Sequence, residues 1–164
     1  MSESKAGALD RLVAALTAGG VGFRQMHHAP VYTSAEAAAV RGTTLHSGAK
    51  ALILKGDERF LMVVLPADMA LDSKAVRDRF GWRTLRFANK DELLELTGLT
   101  PGAVPPFGSL FGLDTLCDQG LADNETINFN AGSHSDSIQM PYAAYLAYER
   151  PEIAPVAKAS AKGG

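Results

Sequence analysis

Two strand-sized apolar runs, three residues apart, constrain this chain more than anything else in it. Ala49–Lys55 and Arg59–Leu65 are rich in β-formers, and the intervening Gly56-Asp57-Glu58 is a hairpin signature. The middle of the chain is therefore committed to a sheet. The longest apolar stretch, Phe60–Leu65, is strand-sized and far short of the ~20 residues that a membrane span needs.

Helical patterns lie around that hairpin. Leu9, Leu12, Val13 and Leu16 recur at helical spacing until Gly19-Gly20, predicting a helix over Ala8–Ala18. Thr33-Ser-Ala-Glu36 is a capping box that opens an alanine-rich helix ending at Arg41 and Gly42. Its stripe Ala35–Val40 reads as a packing face. Asp72 is placed to cap Ser73–Phe80, and Asn89 with Glu92 opens a helix that stops at Gly98. Pro141 suits the start of a last helix, Tyr142–Glu149. Short strands are expected near 23–28, 84–87, 110–116 and 125–129. Strands and helices interleave without strict alternation, which predicts a mixed α+β fold.

The chain has 164 residues, the size of one domain, and no linker divides it. Residues 1–150 are expected to form that domain, and the Ala/Lys/Gly-rich 151–164 a frayed, flexible tail. Met1–Gly7 is polar and small and lacks the apolar core of a secretory signal. The single cysteine, Cys117, cannot form an intrachain disulfide, and its apolar neighbours make it a core residue. A cytoplasmic protein is the expectation. With 16 basic against 18 acidic residues, net charge is −2, and no basic stripe is visible. A partner made of RNA would have to be gripped locally, at its end rather than along its length.

Three features can carry chemistry. Lys50 heads the strand of the hairpin among apolar neighbours, where an ammonium is costly unless it meets an anion or a developing oxyanion. A lysine snorkelling from a strand end fits the same composition. Gly102-Ala-Val-Pro-Pro-Phe-Gly108 is stiffened by Pro105 and Pro106 and flanked by glycines, so it is either a rim that admits a ligand to the backbone or a plain turn. Asn130-Ala-Gly-Ser-His-Ser-Asp136 follows a strand and packs an imidazole, hydroxyls and a carboxylate into one turn. Adjacency of Ser133, His134 and Asp136 argues against a nucleophilic triad, which is normally assembled from distant segments. It leaves a substrate-contacting loop or an Asx/Ser-rich turn. His27, His28 and His46 lack companions at ligand spacing, so no metal is expected. Neither a phosphate loop nor a dinucleotide fingerprint is present, so no cofactor is expected.

Five pieces in order resemble the YbaK/prolyl-tRNA-synthetase-associated editing family, from about His27 to Glu149. They are Thr33-Ser-Ala-Glu-Ala-Ala38; Ala49-Lys50 opening a strand; and Val63-Val-Leu-Pro-Ala-Asp68. After these come Glu95-Leu-Thr-Gly-Leu-Thr-Pro-Gly-Ala-Val-Pro-Pro-Phe-Gly108, and Phe129-Asn-Ala-Gly-Ser-His134 with Ser137-Ile-Gln-Met140.

The resemblance implies an α+β fold with a barrel-like mixed sheet flanked by helices. It also implies hydrolysis of the ester that joins a wrong amino acid to tRNA, in this family alanine, cysteine, serine or threonine, mostly on tRNA for proline. Lys50 matches the hallmark functional lysine, Gly102 the glycine that lines the site, and Gly132-Ser133-His134 the loop that shapes the amino-acid pocket. Pro105, Pro106, Phe107 and Gly108 complete the expected rim, and Val31, Tyr32, Leu45 and His46 join His134 as candidate walls. Lys50 would anchor the terminal adenosine phosphate or the ester carbonyl. A hydroxyl of the terminal ribose, or a substrate thiol, would assist the attack. Ala51 departs from the asparagine typical of the alanine-specific branch. The implied partners are the aminoacyl end of mischarged tRNA and an aminoacyl-tRNA synthetase. Two competing readings are a non-catalytic module that grips tRNA ends or a synthetase, and a small-molecule esterase or amidase.

Overall fold

The computed structural model describes residues 7–160; the polar opening before Gly7 and the end of the expected tail, 161–164, lie outside them. The hairpin is the centre of the fold. Strands β2 (Ala49–Gly56) and β3 (Arg59–Pro66) pair antiparallel along their whole length, from Ala49 opposite Pro66 to Gly56 opposite Arg59. They belong to a five-stranded sheet of order β5-β2-β3-β6-β9, with β5 at Leu85–Phe87, β6 at Thr115–Asp118 and β9 at Glu152–Ala154. Pairing of β3 with β6 and of β6 with β9 is parallel, so the sheet is mixed.

Both faces of this sheet are covered, which explains an apolar run with no polar alternation. Met62 and Val64 of β3 face one core, shared with Leu12 and Leu16 of α1 (Ala8–Ala18), Phe107, Phe129 and Tyr145. Leu61, Val63 and Leu65 face the other, shared with Val76 of α3 (Ser73–Phe80), Leu116 and Val156. Cys117 is fully buried in the first core, and burial pushes its thiol up to about 12, as expected of an inert packing residue.

A three-stranded antiparallel sheet, β1-β8-β7, stands beside the first core, with β1 at Arg24–His27, β7 at Thr126–Asn130 and β8 at Asp136–Pro141. Among the described residues it meets the larger sheet through one isolated parallel bridge, Gly48 to Asn128. The sheet system is mixed and flanked by helices, as expected, but it stays open rather than closing into a barrel. The expected strand over 110–116 divides into a 3₁₀ turn, Gly108–Phe111, and β6, because Gly112 between them is left-handed at φ 72°.

The frayed tail is corrected over most of its length. β9 adds to the larger sheet, and β10 (Ala157–Ala159) pairs with β4 (Met69–Leu71). The reason is a buried carboxylate. Asp118 accepts the N–H groups of Val156 at 2.8 Å and Ala157 at 2.9 Å on one oxygen, and that of Gly120 at 2.8 Å on the other. Charge-assisted bonds of this kind hold a segment whose own side chains carry little apolar surface.

Candidate active site

The three helix caps read from the sequence, at Thr33, Asp72 and Asn89, are all present, and one of them shapes the cleft. At the start of α2 (Ser34–Arg41), Thr33 Oγ1 accepts the Glu36 N–H at 3.1 Å, while the Glu36 carboxylate accepts the N–H groups of Tyr32 and Thr33, each at 3.1 Å. The bond from Tyr32, with those from Thr33, holds the Glu36 carboxyl below its ordinary range against the opposing effect of burial. The chain before α2 is thereby fixed as one wall of a cavity of about 210 Å³. Its other walls include the start of β2, Gly102 and Val104, Asn128–Asn130 and His134. Small apolar side chains, among them Ala37, Ala38, Ala49 and Ala51, form much of the lining.

Lys50 lines this cavity and is half-buried. Its Nζ donates to the Met69 carbonyl, and no carboxylate lies within ion-pairing distance among the described residues. Burial lowers its pKa from the usual lysine value, and the charge of Asp68 offsets only part of that. Asp68 itself is engaged elsewhere: it bonds His46 Nδ1 at 2.8 Å, while His46 Nε2 meets Asp123 at 3.1 Å. The ammonium is left with a neutral acceptor.

A second cation enters the same cavity, one that the sequence did not single out. Arg41, at the end of α2, donates through Nε to Ser137 Oγ at 2.9 Å and through Nη2 to Asn130 Oδ1 at 2.7 Å. Neither acceptor is charged. Burial alone pushes the guanidinium down to about 10. Behind it the polar chain continues through Ser137 to His28. The Ala29 carbonyl can only accept, so His28 Nδ1 donates to it at 2.9 Å, and His28 Nε2 lies 2.8 Å from Ser137 Oγ. No local signal marks Arg41, because a basic residue in a last helical turn is ordinary capping chemistry and its partners lie 89 and 96 residues away.

The two loops converge on the opposite side. Asn130 Nδ2 donates to the Gly102 carbonyl at 2.8 Å, so one amide ties Arg41 to the 102–104 loop. Gly102 has φ +86°, and a Cβ there would come within 3.1 Å of His134 Cε1. His134 donates from Nδ1 to the Val31 carbonyl at 3.1 Å and its own carbonyl accepts the Val31 N–H at 3.0 Å, locking the ring at the cavity wall. Tyr32, 74% exposed, lies over it with ring centroids 4.9 Å apart.

A family model described as the aminoacyl-tRNA editing domain matches residues 28–148, which spans every wall of this cavity. The chain belongs to that family. It is 34% identical over 148 residues to the multifunctional Ser/Thr-tRNA deacylase ProXp-y of Escherichia coli K12, covering 87% of this chain and 89% of that protein. A proline--tRNA ligase of Trichlorobacter lovleyi is 28% identical over 127 residues; the match covers 72% of this chain but 22% of the ligase. In fold, the chain is similar to the crystal structure of a proposed trans-editing enzyme for prolyl tRNA synthetase, with a TM-score of 0.84 at 24% identity over 94% of this chain and 99% of that one.

Not every expected site residue of this editing domain reaches the cavity. Lys50, Gly102, Val31, Tyr32, Leu45 and His134 line it. Pro105, Pro106, Phe107 and Gly108 are corrected: all four are buried away from it. Phe107 is fully buried with its ring edge-on to Phe129, Tyr145 and Tyr148, and the Pro106 carbonyl accepts the Tyr145 hydroxyl at 2.7 Å. The proline pair stiffens the support of the loop, and the rim is Gly102 and Val104. Gly132 and Ser133 also act at one remove. Gly132 N–H donates to the Ala103 carbonyl at 2.8 Å, and a Cβ on Gly132 would meet Leu9 N at 2.9 Å. Ser133 bonds Asp136 at 2.7 Å. His46 is a clamp between two acids rather than a wall. The alanine stripe of α2 packs only through Ala37 and Ala38, since Ala35, Ala39 and Val40 are exposed. Among the described residues no cluster of three or more His, Cys, Asp or Glu is arranged to hold a metal.

Proposed function

We propose that this editing domain hydrolyses the ester of mischarged aminoacyl-tRNA in trans, with Lys50 stabilising negative charge on the substrate. The observation that carries the reading is a half-buried ammonium in a small cleft, bonded to a carbonyl and to no carboxylate. Water attacks the ester carbonyl carbon and the charge moves to its oxygen. Collapse breaks the bond to the ribose oxygen, which takes the proton released by the water. Free amino acid and a tRNA with its terminal hydroxyl restored are the products. A fixed cation facing that oxygen favours the transition state over the neutral ester.

The size of the cleft supports a sieve. A volume of about 210 Å³ falls below the ~300–1,000 Å³ of sites that enclose drug-sized ligands. A small amino acid enters, and the terminal nucleoside stays at the rim, where the exposed Tyr32 ring offers a stacking face. Synthetases discriminate weakly against smaller side chains, and a second, smaller site removes what they admit. Similarity to a Ser/Thr-tRNA deacylase, with Ala51 beside the lysine, favours serine and threonine as the amino acids removed.

The match to part of a proline--tRNA ligase supports tRNA for proline as the carrier and a synthetase as the delivering partner, and with them a role in the cytoplasm. Among the described residues no helix is long and apolar enough to cross a membrane. A panel of alanyl-, cysteinyl-, seryl- and threonyl-tRNA tests the reading. Seryl- and threonyl-tRNA are expected to be deacylated fastest. Binding without turnover on every member would make the chain a tRNA-end module instead.

A further inference from the structure

Arg41 has more donors than its surroundings use. Of the five N–H donors of a guanidinium, one goes to Ser137 Oγ and one to Asn130 Oδ1, leaving three without a partner among the described residues. Ser137 is fully buried and Asn130 is tied to the Gly102 loop, so the used edge is held rigidly from behind. Arg41 lines the cavity and forms no ion pair among the described residues. A desolvated cation without a counter-charge is costly to keep, and ligand charge is the usual compensation.

The substrate offers few anions at this place. An aminoacyl ester has no free carboxylate and its amino group is cationic, so the nearest fixed negative charge is the phosphate on the 5′ side of the terminal nucleoside. Net charge of −2 and the lack of a basic stripe already require RNA to be gripped at one local point. A guanidinium fork suits two phosphate oxygens, whereas a lysine ammonium is a point charge suited to one. We propose that Arg41 is the phosphate anchor of the cleft, taking the 5′-phosphate of the terminal nucleotide and leaving Lys50 for the ester carbonyl. The assignment of a nucleotide rests on the deacylase reading; the anion site does not.

The test compares adenosine 5′-monophosphate with adenosine, by calorimetric titration of the wild type, Arg41→Gln and Arg41→Lys. No turnover is needed, so loss of this inference and loss of the deacylase reading are seen separately. The wild type is expected to favour the monophosphate by about tenfold to a hundredfold, the range for hydrogen bonds to a charged group. Arg41→Gln is expected to bring that preference to within about twofold while adenosine binding stays unchanged. Arg41→Lys, which keeps the charge, is expected to retain a several-fold preference, a result that stands even where Arg41→Gln fails to fold. In turnover, the same contrast is expected between 2′(3′)-O-seryl-adenosine 5′-monophosphate and 2′(3′)-O-seryl-adenosine, as a change in KM with kcat nearly constant. Equal affinity of the wild type for adenosine and its 5′-monophosphate overturns the proposal. So does a preference that survives in Arg41→Gln or vanishes in folded Arg41→Lys, and so does an equal loss of both ligands in Arg41→Gln.

Discussion

Four cations on the surface of this editing domain and two in its cleft are treated in opposite ways. On the surface, Arg86 meets Glu92 through two bonds at 2.7 and 2.9 Å, Arg79 meets Glu152 at 2.7 Å, Lys74 meets Asp78 at 2.6 Å, and Arg59 meets Asp114. In the cleft, where desolvation makes a counter-charge most valuable, Arg41 and Lys50 have only neutral acceptors. Even Asp68, whose charge reaches Lys50, is held by His46. Well-solvated charges gain little from their partners, while buried charges without partners cost stability. The difference teaches that the fold keeps two positive charges available where a substrate ester and phosphate would arrive.

The largest effect that could break this contrast is expected at Lys50. Lys50→Ala should lower kcat/KM for deacylation about 100- to 1,000-fold, the usual loss on removing one oxyanion-stabilising donor, with the melting temperature nearly unchanged. Retained turnover would return Lys50 to the class of ordinary strand-end lysines. Gly102→Ala comes next. It forces a side chain into a left-handed backbone 3.1 Å from His134, and should cost about 1–3 kcal/mol of stability and about tenfold in kcat/KM, read by denaturant melts and steady-state kinetics.

A smaller effect concerns the clamp that holds Asp68. Burial disfavours charge on His46, but its bonds to Asp68 and Asp123 and their charges outweigh it, so its pKa is raised above the ordinary 6.5. The stabilisation is therefore fully present below that ordinary value and is lost as pH rises through the raised one. Melting temperatures of the wild type and His46→Gln should differ most near about pH 5.5 and converge toward about pH 8.5. A gap that widens with pH would refute the clamp. The smallest effect belongs to the surface: Arg86→Ala should leave both the melting temperature and turnover nearly unchanged. The bond to Arg86, with one from the Asn89 N–H, holds Glu92 down at about 2, yet the pair lies at the surface, where solvent screens it.

Local chemistry made much of this architecture readable. The capping boxes at Thr33 and Asn89, the hairpin over 49–66 and the isolated lysine at its head all depend on residues within a few positions of one another. What the sequence concealed depends on distance along the chain. Arg41 becomes a cleft residue only when β7 and β8 bring Asn130 and Ser137 to it. The tail becomes two strands only because Asp118 offers its carboxylate to Val156 and Ala157. Pro105-Pro106-Phe107 looked like an exposed rim, since prolines mark loops, but a loop can turn inward when an aromatic side chain anchors it, as Phe107 does.

The most direct test changes the pairing of a cleft cation without removing it. Asn130→Asp puts a carboxylate where Arg41 now has an amide oxygen 2.7 Å away, converting a cleft cation into a surface-like pair, and Asn130→Ala, which gives up the same bond to the Gly102 carbonyl but adds no charge, is the control that should lose less. With the protein still folded by melting and circular dichroism, deacylation and monophosphate affinity should each fall about tenfold or more. Wild-type turnover and affinity in that variant would contradict the claim that an unneutralised charge is what the cleft is built to present.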